Sequence, residues 1–266
     1  TYNNYLDIDS SIRLLSELKE KACVIIKHTN PCGVACDPDE KECFKKAYNA
    51  DPISAYGGIL SFNFTVNKDL ALEISKHFFD IILAKDFDKE ALGILKNKKR
   101  TRILKCEGID QDLSPALELR SIVNGILIQS RNTRKISEKD LVYVTKRKPN
   151  EKEIEDLIFA WKVVKSVFSN GIVVAKNKTT LGIGSGQMSR VDSVKIALEK
   201  AGSNAKGAVL ASDGFFPFRD SIDLAAKYGI SSIIQPGGSI RDDEVIKAAD
   251  EQNITMVFTG IRCFRH

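Results

Sequence analysis

The sequence predicts an α/β fold, and three observations carry that expectation. Short runs rich in Val, Ile and Leu alternate with amphipathic helical stretches along all 266 residues. Each half holds a buried-strand pattern, a glycine-bearing turn and then a helix pattern. The hydrophobic content of 43% is enough to bury a large core.

In order, the pattern opens with a helix over 10–20 and the apolar strand ACVIIK (22–27), whose abrupt end is explained by the proline and glycine of NPCG. A helix over 38–49, strand YGGILSF (56–62), helix 66–77 and strand DIILA (80–84) follow. Next come the helix-like KEALGIL and the strands RILKC (102–106) and ILIQS (126–130). The polar, highly charged segment 131–153 reads as a surface linker. Asn150 is a natural N-cap, and acidic residues in the first turn open a helix over 150–168. Strands GIVVAK (171–176) and TTLGIG (179–184) precede a helix over 189–200 that Gly202 ends. Strand AVLAS (208–212), helix 220–228, strand SIIQ (232–235), helix 242–251 and strand TMVFTG (255–260) complete the chain. The linker suggests two subdomains, 1–148 and 149–266, although no sequence repeat is strong enough to establish a duplication.

No apolar run approaches the roughly 18–20 residues of a membrane span. The six cysteines lack the dense, regular spacing of a secreted disulfide framework. The expectation is a soluble cytoplasmic protein with reduced thiols and no membrane partner. The net charge of +5 is spread along the chain, with one dense cluster, KNKKRTR (96–102). That cluster reads as a solvated helix C-terminus or as a phosphate or nucleic-acid patch. No aromatic residues interleave it as base stacking would require, so no nucleic-acid partner is expected.

Four stretches carry chemistry. In VIIKHTNPCGVAC, Lys27 and His28 sit where a strand ends, the place where open α/β sheets bind ligands. Neighbours on a strand face opposite ways, so both can reach one ligand only if the strand breaks there. The plainer reading is a snorkelling lysine and a histidine capping a turn. PCGVAC resembles half of a zinc-deaminase signature, but three residues separate Cys32 from Cys36 and no glutamate follows His28 in H-x-E spacing. The chain has only three histidines, so no metal site is expected, and the same spacing argues against a redox pair. In GIGSGQMSR (182–190) the glycines allow close backbone approach to a phosphate or ring, or simply form a tight turn, with Gln187 and Arg190 as fixed donors. It matches neither G-x-G-x-x-G nor a Walker A loop. In ASDGFFPFRD (211–220) the phenylalanines enter the core or line a slot for a flat heterocycle, and Asp220 is either a ligand contact or a helix N-cap. QPGGSIRDDE (235–244) is a glycine turn before a helix, and GIRCFRH ends the chain either frayed or docked at a site.

VIIKHTNPCGVA, DPISAYGGIL, SNGIVVAKN, GIGSGQMSRVDSV, SDGFFPFRDSID, QPGGSIRD and FTGIRCFRH, in that order, resemble the AICAR transformylase portion of the bifunctional purine biosynthesis family. The resemblance begins at YNNYLDID and runs to the final histidine. The family's Arg-Tyr-Gly segment, which helps hold the AICAR phosphate, and its IMP cyclohydrolase domain lie upstream of these motifs and are not in this sequence. The resemblance implies a fold of two cytidine-deaminase-like α/β/α subdomains. It implies a formyltransferase that moves the formyl group of 10-formyltetrahydrofolate to the 5-amino group of AICAR ribotide, giving FAICAR, with no catalytic metal. By motif position, His28 becomes the base and Lys27 the oxyanion partner. Gly57, Asp80, Asn170, Arg190, Phe215, Arg262 and His266 become AICAR contacts. Val191, Asp220, Ser239 and Ile240 become folate contacts. A homodimer with active sites built across the interface is implied too. The alternative expectation, from the basic surface, is a non-catalytic nucleotide- or RNA-binding module.

Overall fold

The computed structural model describes residues 1–109, 111 and 117–266. Helix α1 (Tyr2–Glu17) starts well before the predicted 10–20, because the Thr1 hydroxyl accepts the Asn4 amide and caps it. Its first turns carry exposed Tyr2 and Tyr5 instead of an apolar face, so they show no helical period in the sequence.

Strands β1 (Ala22–Lys27) and β2 (Asn30–Cys36) form a hairpin in which Lys27 faces Asn30. The turn is His28–Thr29, with φ of 50° and 61°, so NPCG lies inside β2 and is not the break that the sequence suggested. Two other constraints account for its composition. Pro31 sits beside the register shift between Ile25 and Ile26, where a ladder donor is not needed. A Cβ on Gly33 would lie 1.9 Å from the Ala47 carbonyl oxygen, so glycine there lets α2 (Glu40–Ala50) pack on the strand. The short α3 (Pro52–Ala55), β3 (Ile59–Val66), α4 (Lys68–Ser75), β4 (Ile81–Phe87), α5 (Lys89–Leu95) and β5 (Arg102–Lys105) complete the first half.

Beyond it, β6 (Leu117–Ile122) and β7 (Gly125–Ser130) pair, among the described residues, only with each other. Leu117, Leu119, Ile126, Leu127 and Ile128 on this ribbon are all more than half exposed. The linker adds a two-residue strand, β8 (Val142–Tyr143), to the far edge of the sheet. The second half is α6 (Glu151–Val164), β9 (Ile172–Lys176), β10 (Thr179–Gly184), α7 (Arg190–Ala201), β11 (Val209–Ser212), α8 (Asp220–Lys227), β12 (Ser232–Gln235), α9 (Asp242–Glu251) and β13 (Thr255–Phe258). Asn150 caps α6 through a capping box with Glu153, as its sequence predicts.

One mixed sheet of eleven strands runs β5-β4-β3-β1-β2-β10-β9-β11-β12-β13-β8. Its topology repeats. In each half a hairpin (β1–β2, β9–β10) pairs antiparallel with a third strand, and two parallel strands follow. The halves join at β2 and β10, which run antiparallel. Alternation along the strands sorts the core into layers. Val24, Ile26, Val173 and Ala175 pack with α1 and α6 in one layer. Cys23 and Ile25 pack with α2, α4 and α5 on the other face, and Ile172 and Val174 with α7, α8 and α9.

Glycine tests this account. Gly33→Ala is expected to destabilise the fold by about 3 kcal/mol or more, since the clash is with backbone. Gly93→Ala, inside α5 with no atom within 4 Å of the new Cβ, should stabilise by about 0.5–1 kcal/mol. Chemical denaturation of the two variants measures both.

His77 supplies a pH test. Its ring lies 4.0 Å from Tyr48 and 5.8 Å from Phe44, and burial pulls its pKa below the usual 6.5. The folded state thus prefers the neutral ring. That contribution to stability is present above about pH 6.5 and lost as pH falls through the folded-state value. The drop in melting temperature between about pH 7.5 and pH 5 should be smaller in His77→Phe than in the parent.

Candidate active site

The first half contributes the hairpin tip. β1 is fully buried until Lys27, whose Nζ donates to the Tyr56 carbonyl at 2.8 Å. Gly57 follows with φ of 65°, and a Cβ there would lie 3.4 Å from that Nζ, so glycine leaves the ammonium its place. At the same end of the sheet the Asp80 amide donates to the Gly58 carbonyl, just before β4. His28 is exposed on the turn. Lys27, Gly57 and Asp80 are therefore one neighbourhood, with His28 beside it.

The second half contributes a cleft of about 490 Å³. Among its walls are Asn170, Arg190, Val191, Phe215 and Asp220. These are predicted contacts for both substrates, brought together from the loops at Asn170 and Phe215 and the first turns of α7 and α8. Arg190 is buried and fixed from several directions. Its guanidinium pairs with the fully buried Asp213 and donates to Ser212 Oγ at 2.8 Å and Asn170 Oδ1 at 2.7 Å. Asn170 in turn donates to the carbonyls of Gln187 and Met188. Such a network holds the guanidinium plane still before any ligand arrives.

The remaining predicted residues border this cleft. Arg262 lies over the Phe215 ring at 5.5 Å, and the His266 ring is 5.9 Å from Phe264, another cleft wall. Ser239 and fully exposed Ile240 sit on the loop whose Arg241 covers Phe218 at 4.9 Å. The tail is docked: Cys263 donates its amide to the Asp213 carbonyl, the Arg265 carbonyl accepts the Ser169 amide, and the Arg265 amide donates to Ser169 Oγ. Among the described residues no hydrogen bond, ion pair or ring contact joins Lys27 or His28 directly to the cleft. Asn30 bridges the two regions, accepting from the Phe168 amide at 3.0 Å and from Ser185 Oγ at 2.7 Å.

Several sequence alternatives resolve here. Gly182 and Gly184 belong to β10, where Cβ atoms would meet the Ala197 and Ser193 carbonyls at 2.0 Å. They seat α7 on the strand and are not a phosphate cradle. Asp220 is the first residue of α8, with Arg219 in the capping position, and its side chain accepts the Ser221 amide. Of the phenylalanines, Phe216 is core while Phe215 and Phe218 line the cleft. Arg219 is not beside them chemically, being held by Asp223 and Glu251. Near the basic cluster, Arg100 covers Phe78 at 5.0 Å and Tyr56 packs against the same ring.

Cys32 packs with the α2 layer and Cys36 with the α1–α6 layer, so they do not converge. Burial, followed by the Asp51 carboxylate, pushes the Cys32 thiol up to about 12, and burial raises Cys36 as well. Among the described residues no group of three or more His, Cys, Asp or Glu is placed to hold a metal ion. Nor is any described helix long and apolar enough to cross a membrane.

A family model described as the AICARFT/IMPCHase bienzyme matches residues 1–200. The chain belongs to the AICARFT/IMPCHase bienzyme family. It is 53% identical over 266 residues to the bifunctional purine biosynthesis protein PurH of Caldicellulosiruptor saccharolyticus. It is 52% identical to that of Persephonella marina over 270 residues and 50% to that of Aquifex aeolicus over 270. Each match takes in all of this chain and 52% of the relative. The chain thus spans about half the length of the curated relatives it matches.

Asp213 is the member of this cleft-side network that sequence reasoning missed. It lies far from Arg190 in sequence, and the only signal was an acid placed at the end of an apolar strand. Removing one partner of a buried ion pair strands the other charge. Asp213→Ala is expected to destabilise the fold by about 3–5 kcal/mol in denaturant titrations, far more than Asp223→Ala at the exposed Arg219 pair.

Proposed function

We propose that this chain carries the formyl-transfer activity of its family. AICAR ribotide is the acceptor, 10-formyltetrahydrofolate the donor, and FAICAR and tetrahydrofolate the products. One observation carries the reading: five residues assigned to the two substrates line a single cleft at the sheet end where the Lys27–His28 hairpin turns. A cleft of about 490 Å³ is also of the size that holds a small metabolite.

The chemistry needs two groups. The 5-amino nitrogen of AICAR is conjugated with its ring and carboxamide, so it attacks poorly without a base. As the nitrogen bonds to the formyl carbon, His28 takes the amine proton and the Lys27 ammonium balances the oxyanion. Collapse breaks the bond from carbon to N10 of the folate, and the proton on His28 passes to N10. Arg190, held by Asp213, and Asn170 fix the acceptor. The Phe215 and Phe218 rings offer a wall for a flat heterocycle.

The reading extends to assembly and architecture. The repeated topology supports two cytidine-deaminase-like subdomains divided as 1–148 and 149–266. The exposed apolar β6–β7 ribbon supports a homodimer, since a second copy would cover it. Active sites shared between copies would bring one chain's hairpin to the other's cleft. A cytoplasmic location fits two substrates whose phosphate and carboxylates bar unaided passage through lipid.

The internal repeat supplies the control for the test. Lys176 Nζ donates to the Lys206 carbonyl at 2.9 Å, and Gly207 with φ of 70° leaves 3.4 Å to that Nζ. This repeats the Lys27–Tyr56–Gly57 arrangement, but Asn177 stands where His28 does. Folate-dependent formylation of AICAR should fall about 10²–10⁴-fold in His28→Ala and about 10²–10³-fold in Lys27→Ala. Lys176→Ala should leave it unchanged. Full activity in His28→Ala would remove its role as base.

A further inference from the structure

We infer that Asp7 and Arg265 are positioning residues that clamp the His28–Thr29 turn, an assignment that rests on the formyl-transfer reading for its catalytic meaning. The turn needs holding. Both residues have left-handed φ, 50° and 61°, and neither is glycine. Left-handed backbone is costly for ordinary L-residues and most so for a β-branched one such as Thr29. Left to itself, the turn would relax toward φ below zero and swing His28 away from its place beside Lys27.

Two groups from opposite ends of the chain oppose that relaxation. Asp7 Oδ1, on α1, accepts the Thr29 amide at 2.6 Å. Arg265 Nη1, on the tail, donates to the Thr29 carbonyl at 2.8 Å. Arg265 is itself fixed by the Ser166 carbonyl, by Ser10 Oγ at 3.0 Å and by the Phe168 ring at 4.6 Å. Its burial is deep enough to pull the guanidinium pKa below its usual value. The second half uses the same device. Asn177 and Lys178, with φ of 53° and 52°, form the equivalent turn, and both amides donate to Asp156 on α6. There the left-handed position equivalent to His28 is filled by asparagine, which tolerates it. In the first half that position is occupied by the histidine, followed by the β-branched Thr29, whose left-handed backbone is the one the two clamping groups hold.

Neither clamp residue is placed against substrate, so the expected signature is in turnover and not in binding. Asp7→Ala and Arg265→Met should each lower kcat about tenfold to a hundredfold, with KM for AICAR ribotide and for the folate held within about twofold. Asp7 is half-buried at the surface, so its variant keeps the test open if Arg265→Met does not fold. Thr29→Gly added to Asp7→Ala should restore most of kcat, because glycine accepts the left-handed backbone unaided. A loss of stability alone would not be repaired by that change. Amide exchange at Thr29 in the full chain gives a second measure that needs no activity, and it should accelerate at least about tenfold in Asp7→Ala. Unchanged kcat in both single variants, or failure of Thr29→Gly to restore it, overturns the clamp. If the parent protein itself transfers no formyl group, the function reading has failed. The clamp is then decided by exchange: acceleration supports it and unchanged protection at Thr29 overturns it.

Discussion

The seam between β2 and β10 is the contact on which the rest of the molecule depends. It is short: Thr179 faces Ala35, and the Cys36 amide donates to the Lys178 carbonyl at 2.9 Å. The buried Thr180 hydroxyl does the rest, accepting the Val34 amide at 2.9 Å and donating to the Val34 carbonyl at 3.2 Å. A side chain thus takes the place of a missing ladder rung and satisfies two backbone groups in a dry interior. Because β2 and β10 run antiparallel, the seam lays the start of β2 beside the end of β10. The His28–Thr29 turn from one half therefore meets the α7 entrance of the other. Lys27 and His28 approach the Arg190 region because of this register, with Asn30 as the bridge.

The antiparallel seam also gives the molecule a second, related end, and that end has diverged. The two hairpins match residue for residue: Gly33 and Gly182 both face a helix carbonyl, and both hairpins shift register at the same place. Lys27 and Lys176 make the same carbonyl contact. The first residue of α7 is Arg190, donating to Asn170, whereas the first residue of α2 is Glu40, accepting from Lys21 at 2.8 Å. The charges are reversed. At that far end Lys178 is also paired, with Glu20 and Glu155. A lysine against a strand-end glycine is then a feature of the architecture, and the end that holds His28, Arg190 and the cleft differs from its counterpart at the turn and at the helix start.

This explains what was legible in the sequence. Strands buried on both faces announce themselves as apolar runs, and every predicted run became a strand. β2 was hidden because helix packing demanded Gly33 and the register shift tolerated Pro31, giving a strand the composition of a turn. The real turn was hidden for the opposite reason, since His28 and Thr29 carry no turn signature and are held by distant groups. Lys27 could be singled out from its place at a strand end. Arg190 and the phenylalanines could be singled out within their own stretches but not as one site, because Asn170, Arg190 and Phe215 meet only through the pairing of β9, β10 and β11. Their assignment came from resemblance, and the fold supplies the reason they sit together.

The chain's last residues show how one segment serves both the fold and the site. Extended backbone turns successive side chains to opposite faces. Cys263 points inward, buried, its thiol raised to about 12 chiefly by that burial, and Arg265 points inward to the Thr29 carbonyl. Arg262, Phe264 and His266 alternate with them and remain exposed, at Phe215 and around the cleft. The inward pair anchors the tail to both halves, while Phe264 lines the cleft and Arg262 and His266 lie against Phe215 and Phe264 on its border. A change in register by a single residue would exchange these sets, burying charge and exposing the thiol. The tail's sequence is thus constrained at every position, which is why a terminus that composition alone would let fray is instead built into the structure.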